Sequence, residues 1–318
     1  MKKILIAGPF GPKEEAAFSQ LSSEVECQFV NSSEINDSML KSANALIGNV
    51  SPALLVDQPH LEWVQLTSSG ADGYVNEKGI PENILFTTST GSYGLGIAEY
   101  MVAMLLSMMK KIPAYLEDQK KGIWADEGIV TSPFGKRVLI IGTGDLGLEF
   151  AKRMRALGCT LVGIRRREGT CPAELDEIYT MDHLKEQLAM ADVVAVCLPG
   201  TKETFHLFDE EMLLSCKEGS YFMNVGRGNI VPLDAFCNEK VSEHFAGIWL
   251  DVCEIEPLPD KHPLYYVPNM LITPHITGGY HLDLTVEKIF QIALHNMKAW
   301  LGEGDYIHVL DRNSGYCK

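Results

Sequence analysis

Three short segments carry residues able to do chemistry together, and each follows directly on a strand-like run. Asn224-Val-Gly-Arg227-Gly-Asn-Ile-Val231 offers a guanidinium, Asp251-Val-Cys-Glu-Ile-Glu256-Pro257-Leu-Pro259 a carboxylate, and Ile272-Thr-Pro274-His275-Ile-Thr-Gly278 an imidazole. In open α/β sheets ligands collect outside the carboxyl ends of the strands, so Arg227, Glu256 and His275 are expected to converge on one cleft. Taken singly, each has an ordinary structural use as a loop acid, a capping arginine or a satisfied buried histidine. Taken jointly, in these contexts, they read as a site.

The element that must position a second substrate beside them is Arg137-Val-Leu-Ile-Ile-Gly-Thr-Gly-Asp-Leu-Gly147. Val138–Ile141 has the length of a buried strand, Gly142–Gly147 reads G-x-G-x-x-G, and Leu148–Leu157 carries the 3.6-residue period of a helix. These are the parts of a pyrophosphate site. Gly142 permits the tight turn, Gly144 lets backbone approach the phosphates, and Gly147 lets helix pack on strand. The helix N-terminus then presents free N–H groups to the anion.

The next strand points to the kind of dinucleotide. It ends at Ile164, where NAD-binding units of this kind place an acid for the ribose hydroxyls, but Arg165-Arg166-Arg167 follow and no carboxylate appears until Glu168. Guanidinium groups bind a 2′-phosphate through charge-assisted, bidentate hydrogen bonds. NADP(H) is therefore expected over NAD(H), which stays possible; the alternative reading of the arginines is a solvated basic turn.

Composition narrows the class. The 318 residues allow two domains with real cores, and a formal charge of −15 argues against nucleic acid or an anionic membrane as partner. Eight cysteines show no C-x-x-C pair and no zinc spacing, and read as small buried hydrophobes in a reducing, cytoplasmic setting, with no metal expected. The start, Met1-Lys-Lys-Ile-Leu-Ile-Ala7, is broken by Gly8-Pro9 and reads as a first strand, not a signal peptide. Ile97–Met109, the most apolar stretch, contains Glu99 and is too short to span a bilayer.

Strand and helix alternate twice. Lys3–Ala7, Val25–Val30, Ala45–Gly48, Trp63–Thr67 and Ile84–Thr87 are expected strands, with helices at Glu14–Leu21 and Pro52–Asp57. A helix over Ile97–Lys111, apolar almost all round, is expected to be buried on most sides and to lie between two domains. Six further strands follow, Val138–Ile141, Thr160–Ile164, Val193–Leu198, Tyr221–Asn224, Phe245–Leu250 and Met270–Ile272, with helices at Asp145–Leu157, His183–Ala189 and Leu233–Glu239. A last helix over about Leu282–Leu301, on which His281 and His295 are expected to lie with no chemistry assigned to them, and an edge strand over Tyr306–Leu310 are expected to cross back to the first domain. The reading is a mostly parallel α/β protein: a discontinuous, flavodoxin-like substrate domain (1–97 with 286–318) and an inserted Rossmann dinucleotide-binding domain (98–285).

Taken together, the chain resembles the D-isomer-specific 2-hydroxyacid dehydrogenases over nearly its whole length. The segments that carry the resemblance are Ser69-Gly70-Ala71-Asp72, the Gly142–Gly147 loop, Leu198-Pro199-Gly-Thr201-Lys-Glu-Thr204 and the Arg227, Glu256 and His275 segments. The resemblance implies reduction of a small 2-keto acid such as glyoxylate or hydroxypyruvate, with hydride from NADPH. His275 would supply the proton, Glu256 would raise its pKa and hold one tautomer, and Arg227 would bind the substrate carboxylate. Ser69, Gly70 and Ala71 would hold that carboxylate through backbone, and Tyr93 would shape the pocket. Around the cofactor it places Gly142, Gly144, Asp145, Leu146 and Gly147, with Arg165 and Arg166. Leu198, Pro199, Thr204, Val225, Gly226, Asp251, His275 and Gly278 complete that set. Closure of the domains would exclude water, and a homodimer through the Rossmann domains is implied. The rivals are an NAD-dependent relative acting on D-lactate, D-3-phosphoglycerate or a branched acid, and a non-catalytic dinucleotide-sensing scaffold like the C-terminal-binding corepressors. Phosphoglycerate would call for extra basic residues in the pocket, and a chain ending at Lys318 leaves no room for a regulatory domain.

Overall fold

Runs of four to six residues buried on both faces fold as parallel strands covered by helices, and this chain does so twice. The computed structural model describes residues 1–313 and 315–317. Contacts divide the chain into two units, Met1–Tyr93 with Tyr280–Lys318 and Gly94–Gly279.

In the first unit, β1 (Lys2–Ala7), β2 (Val25–Phe29), β3 (Ala45–Gly48), β4 (Trp63–Gln65) and β5 (Leu85–Thr87) form one parallel sheet in the order β2-β1-β3-β4-β5. This is the strand order of the flavodoxin-like fold. Ile4, Leu5 and Ile6 are fully or almost fully buried, and the helix Asp283–Trp300 lays Phe290, Ala293, Met297 and Trp300 against Ile4, Ile6 and Trp63. Two polar contacts fix that helix: Asn296 Nδ2 donates to Gln65 Oε1 at 2.8 Å in the buried core, and Trp300 Nε1 donates to the partly exposed Glu62 Oε2 at 2.9 Å. His281 precedes the helix, whereas His295 lies within it.

Two expectations for this unit are corrected. The expected helix Pro52–Asp57 is a 3-10 turn, Pro52–Leu55, and Asp57 sits at φ +60°, outside helical space. The strand expected at Tyr306–Leu310 reduces to one antiparallel bridge, Val309 to Thr87. His308 at φ +54° breaks the extended run, and Leu310–Asp311 instead pairs with Tyr316–Cys317 as a two-stranded ribbon. Leu310 is buried against the sheet core of this unit.

The second unit carries seven parallel strands: β6 (Arg137–Ile141), β7 (Thr160–Arg165), β8 (Glu177–Thr180), β9 (Val193–Val196), β10 (Ser220–Asn224), β11 (Phe245–Leu250) and β12 (Met270–Ile272). Their order is β12-β11-β10-β9-β6-β7-β8. Strand order reverses beside β6, the switch point at which such sheets bind dinucleotides. β8 was not among the six expected strands. Its Glu-Ile-Tyr-Thr is half-buried, as befits an edge strand, and carries no apolar run.

The apolar helix spans Gly94–Met109, and a further helix, Ile112–Lys121, follows it. Its fully buried positions, Gly94, Ala98, Met101, Leu105 and Met109, form one stripe, so it is not buried all round; Tyr100 is exposed. That stripe packs with Phe150, Ala151 and Met154 of the helix Asp145–Ala156 and with Trp249. The helix expected over Leu233–Glu239 is split into a 3-10 turn, Ala235–Cys237, and Glu239–Ser242. The split falls at Asn238, whose side chain accepts from Lys240 N–H and starts a new turn.

Candidate active site

The registers align Ile141, Ile164, Val196, Asn224, Leu250 and Ile272 across the second sheet. The segments after those strands therefore emerge along one edge, and every chemically interesting loop of this unit leaves from it.

The glycine loop is shaped by close backbone approaches. Gly142 has φ +100°, and a Cβ there would lie 2.6 Å from the Cys197 carbonyl oxygen. A Cβ on Gly147 would lie 2.2 Å from the Gly142 oxygen. Nothing approaches the corresponding point on Gly144 within 4 Å, so open space lies over the N-cap of the helix Asp145–Ala156. This is a cradle of the kind a pyrophosphate occupies. Leu146 is half-buried behind it. The Asp145 carboxylate is turned to one side, accepting from Gly94 N–H at 3.0 Å.

At the end of β7, Arg165 lines a concavity of about 340 Å³ with Glu168, Gly169, Tyr179, Thr180 and His183. Its Nη2 is buried and has no hydrogen-bond partner among the described residues. Arg166 is exposed beside it. An orphaned guanidinium nitrogen at this place fits an anionic ligand group, since a buried donor left unpaired is costly. A nicotinamide dinucleotide held across this edge, its pyrophosphate in the glycine cradle, would supply or accept hydride through its nicotinamide ring.

Beyond β9, a Cβ on Gly226 would lie 2.4 Å from the Leu198 oxygen, so the two loops touch through backbone. Thr204 spends its hydroxyl on the loop itself, donating to the Pro199 carbonyl at 2.7 Å and accepting from Thr201 N–H at 2.8 Å. Val225 is buried and continues the ladder to Val196. Fully buried Asn224 closes the arginine turn: its Nδ2 donates to the Arg227 carbonyl at 3.0 Å and its Oδ1 accepts from Gly226 N–H at 3.1 Å. Arg227 Nη1 in turn donates to the Gly226 carbonyl at 2.8 Å.

His275 and Glu256 form the pair at the centre. His275 Nδ1 and Glu256 Oε2 are 2.7 Å apart, and Glu256 Oε1 accepts from Cys253 N–H at 3.0 Å. The Glu256 hydrogen bond holds the His275 pKa above the ordinary histidine range, against the opposing effects of burial and of Arg227. Burial pushes the Glu256 carboxyl up, but the bonds from His275 and Cys253 and the nearby charges outweigh it and hold it below the usual carboxylate value. Both side chains remain partly exposed and, with Cys253, Leu258 and Tyr265, line a cavity of about 500 Å³.

Asp251 frames this pair. It is 2 % exposed, and its Oδ1 accepts from the Thr273 hydroxyl at 2.6 Å and Ile276 N–H at 3.3 Å. Its Oδ2 accepts from the Thr277 hydroxyl at 2.5 Å and Thr277 N–H at 3.4 Å. His275, at φ +49°, donates its own N–H to the Asp251 carbonyl at 2.8 Å. Asp251 thus spends its carboxylate on the segment that presents the imidazole. Gly278 follows at the end of that segment, half-buried. The framing roles of Asn224, Thr273 and Thr277 were not read from the sequence. The threonines flanking His275 at two residues on either side were the available signal.

In the first unit, Ser69, Gly70 and Ala71 lie beyond the end of β4. The Ser69 hydroxyl donates to the Ser89 carbonyl at 3.1 Å, the Gly70 carbonyl accepts from the Ser68 hydroxyl at 2.7 Å, and Ala71 caps the short helix Asp72–Asn76. Tyr93 is almost fully buried in this unit and gives its hydroxyl proton to the Thr67 carbonyl. Burial, chiefly, drives its pKa far up. Its hydroxyl is therefore part of the core bonding of the first unit.

A parallel sheet with a glycine-lined phosphate cradle at its switch point, and a carboxylate-supported imidazole on the same edge, defines a dinucleotide-dependent oxidoreductase. Residues 102–277 match the family D-isomer specific 2-hydroxyacid dehydrogenase, NAD binding domain. The chain is 32% identical to glyoxylate/hydroxypyruvate reductase B of Pectobacterium carotovorum subsp. carotovorum, over 76% of this chain and 78% of that one. It is 30% identical to glyoxylate reductase of Thermofilum pendens, over 76% and 73%. A solved D-isomer specific 2-hydroxyacid dehydrogenase family protein from Aeromonas salmonicida subsp. salmonicida superposes with TM-score 0.83 at 28% identity, over 98% of this chain and 99% of that one. The chain belongs to the D-isomer-specific 2-hydroxyacid dehydrogenases.

Proposed function

We propose that the protein reduces a small 2-keto acid of the glyoxylate or hydroxypyruvate kind to the D-2-hydroxy acid, taking hydride from NADPH. The observation that carries this reading is the 2.7 Å contact between Glu256 and His275, which favours the protonated imidazole that a proton donor needs. In this account His275 Nε2–H protonates the carbonyl oxygen as hydride arrives at the keto carbon. Glu256 stabilises the imidazolium, and Arg227, whose charge reaches both members of the pair, binds the substrate carboxylate. Two relatives are named for glyoxylate or hydroxypyruvate reduction, which favours small keto acids. NADPH is favoured by Arg165 Nη2, which has no hydrogen-bond partner among the described residues and lies where an NAD site would carry a carboxylate.

We further assign the protein to the cytoplasm as a homodimer. All eight cysteines are free thiols, and no described helix is long and apolar enough to cross a membrane. The segment after Lys121 leaves Trp124 wholly exposed, with Ile129 at 91% and Phe134 at 77%, an apolar surface suited to a second copy. The test of the activity is consumption of NADPH, and in parallel of NADH, over a panel of 2-keto acids. Turnover of glyoxylate or hydroxypyruvate with a strong NADPH preference is expected. Comparable kcat/KM with NADH would discard the cofactor assignment, and binding without turnover of any keto acid would point instead to a dinucleotide-sensing scaffold.

A further inference from the structure

Beside the acid–base pair stands a second histidine–carboxylate pair that the chemistry above leaves unused. His206 Nε2 and Glu254 Oε1 are 2.5 Å apart, and Glu254 Oε2 accepts from Leu233 N–H at 2.9 Å. His206 is held at φ +51°, a conformation a non-glycine residue keeps only where its surroundings fix it. Two contacts fix it here besides the carboxylate. Its N–H donates to the Asn229 carbonyl at 2.9 Å, and its ring stacks on Phe205 with centroids 3.9 Å apart.

Three loops meet at this one residue. His206 belongs to the loop after β9; its backbone grips the turn that carries Arg227, and its ring grips the turn that carries Glu256. Those two turns also press directly on one another, since a Cβ on Gly228 would lie 1.9 Å from the Cys253 carbonyl oxygen. Within Cys253–Glu256, the side chain of Glu256 folds back to the Cys253 N–H. One short turn therefore carries two carboxylates, Glu256 directed to His275 and Glu254 anchored by His206 and Leu233. Glu254 thus anchors the turn two residues before Glu256.

We propose that His206 and Glu254 are positioning residues, a strut that holds Glu256 and Arg227 in the geometry needed for keto-acid reduction. The proposal rests on the reductase reading above. Neither residue touches substrate in this account; both act through Glu256 and Arg227. Because a displacement of about 1 Å can cost roughly a hundredfold in rate, a strut of this kind has a kinetic signature.

The experiment measures glyoxylate and hydroxypyruvate reduction by the full chain and by His206→Ala, Glu254→Ala, their double variant and Glu254→Gln, with NADPH affinity followed by fluorescence titration. Expected are falls in kcat of about 10- to 100-fold in each alanine variant with NADPH affinity little changed. The double variant should be no worse than the singles, because the two act as one unit. Glu254→Gln, which keeps an acceptor for the His206 ring, should recover part of the loss. The alkaline limb of kcat/KM should also move to lower pH in His206→Ala. His275 is faced by Glu256, Asp251 and Arg227, and a displaced Glu256 supports its charge less. Unchanged kcat and pH limb in folded variants, additive losses, or losses that merely follow cofactor affinity would overturn the strut. Absence of turnover in the unmodified chain would instead defeat the reductase reading itself, and is seen before any variant is made.

Discussion

His275 Nδ1 faces Glu256 Oε2 at 2.7 Å, which commits that ring nitrogen to the carboxylate, so that in the proposed reaction Nε2 is the atom that gives and takes the proton. The tautomer follows from the acceptor, because an ionised carboxylate can only accept. Asp251 then fixes where Nε2 points, through Thr273, Ile276 and Thr277.

Replacing His275 with Gln removes the proton donor and leaves the glycine cradle untouched. A fall in kcat of about 10²- to 10⁴-fold is expected, with NADPH still bound. Steady-state rates alongside a cofactor titration separate the two effects, and near-normal turnover would show that the proton comes from elsewhere.

The pH profile has a defined sign. His275 is raised above its ordinary value of about 6.5, so the protonated acid is fully present below that value and is lost as pH rises through the raised one. Glu256 is lowered, so its charge is lost only as pH falls below the usual carboxylate range. Reduction should therefore decline on the alkaline side, at a pH above the ordinary histidine value. In Glu256→Gln that alkaline decline should begin at lower pH; an unmoved limb would mean that another group sets it.

Arg165→Ala tests the cofactor assignment. Loss of the guanidinium should raise KM for NADPH by about 10-fold or more, the worth of a charge-assisted hydrogen bond, while NADH kinetics stay nearly constant. Equal effects on both cofactors would reduce Arg165 to a structural role.

Gly142→Ala should be costly for two separate reasons. Its φ of +100° disfavours a side chain, and the new Cβ would meet the Cys197 carbonyl at 2.6 Å. A loss of about 1–3 kcal/mol of stability is expected, read as a lower denaturation midpoint, together with weakened dinucleotide binding. Gly144→Ala, with open space at the same point, should keep its stability and lose chiefly cofactor affinity. Equal destabilisation by both would contradict the assigned roles.

The parts of this fold that were legible in sequence are those where one residue type has one physical reason. The glycine spacing of 142, 144 and 147 maps onto a positive φ, an open cap and a close backbone contact. The buried strands announce themselves as apolar runs such as Val138–Ile141 and Val193–Val196. Less legible were elements whose cause lies in their neighbours. The strand Glu177–Thr180 pairs along the edge that β7 offers, and its four half-buried residues carry no apolar run to announce it. Likewise the pairing of His206 with Glu254 joins residues 48 positions apart, and only the meeting of three loops reveals it. Thr204 and Tyr93 illustrate the converse: their hydroxyls look available in sequence and are taken up by neighbouring carbonyls in the fold.

The central claim is that His275 delivers a proton as hydride reaches a keto carbon, yielding the D-hydroxy acid. Its most direct test is chiral analysis of the product formed from hydroxypyruvate and NADPH by the unmodified chain, with His275→Gln run in parallel. D-glycerate is expected from the former and almost no product from the latter. L-glycerate, or equal product from both proteins, would contradict it.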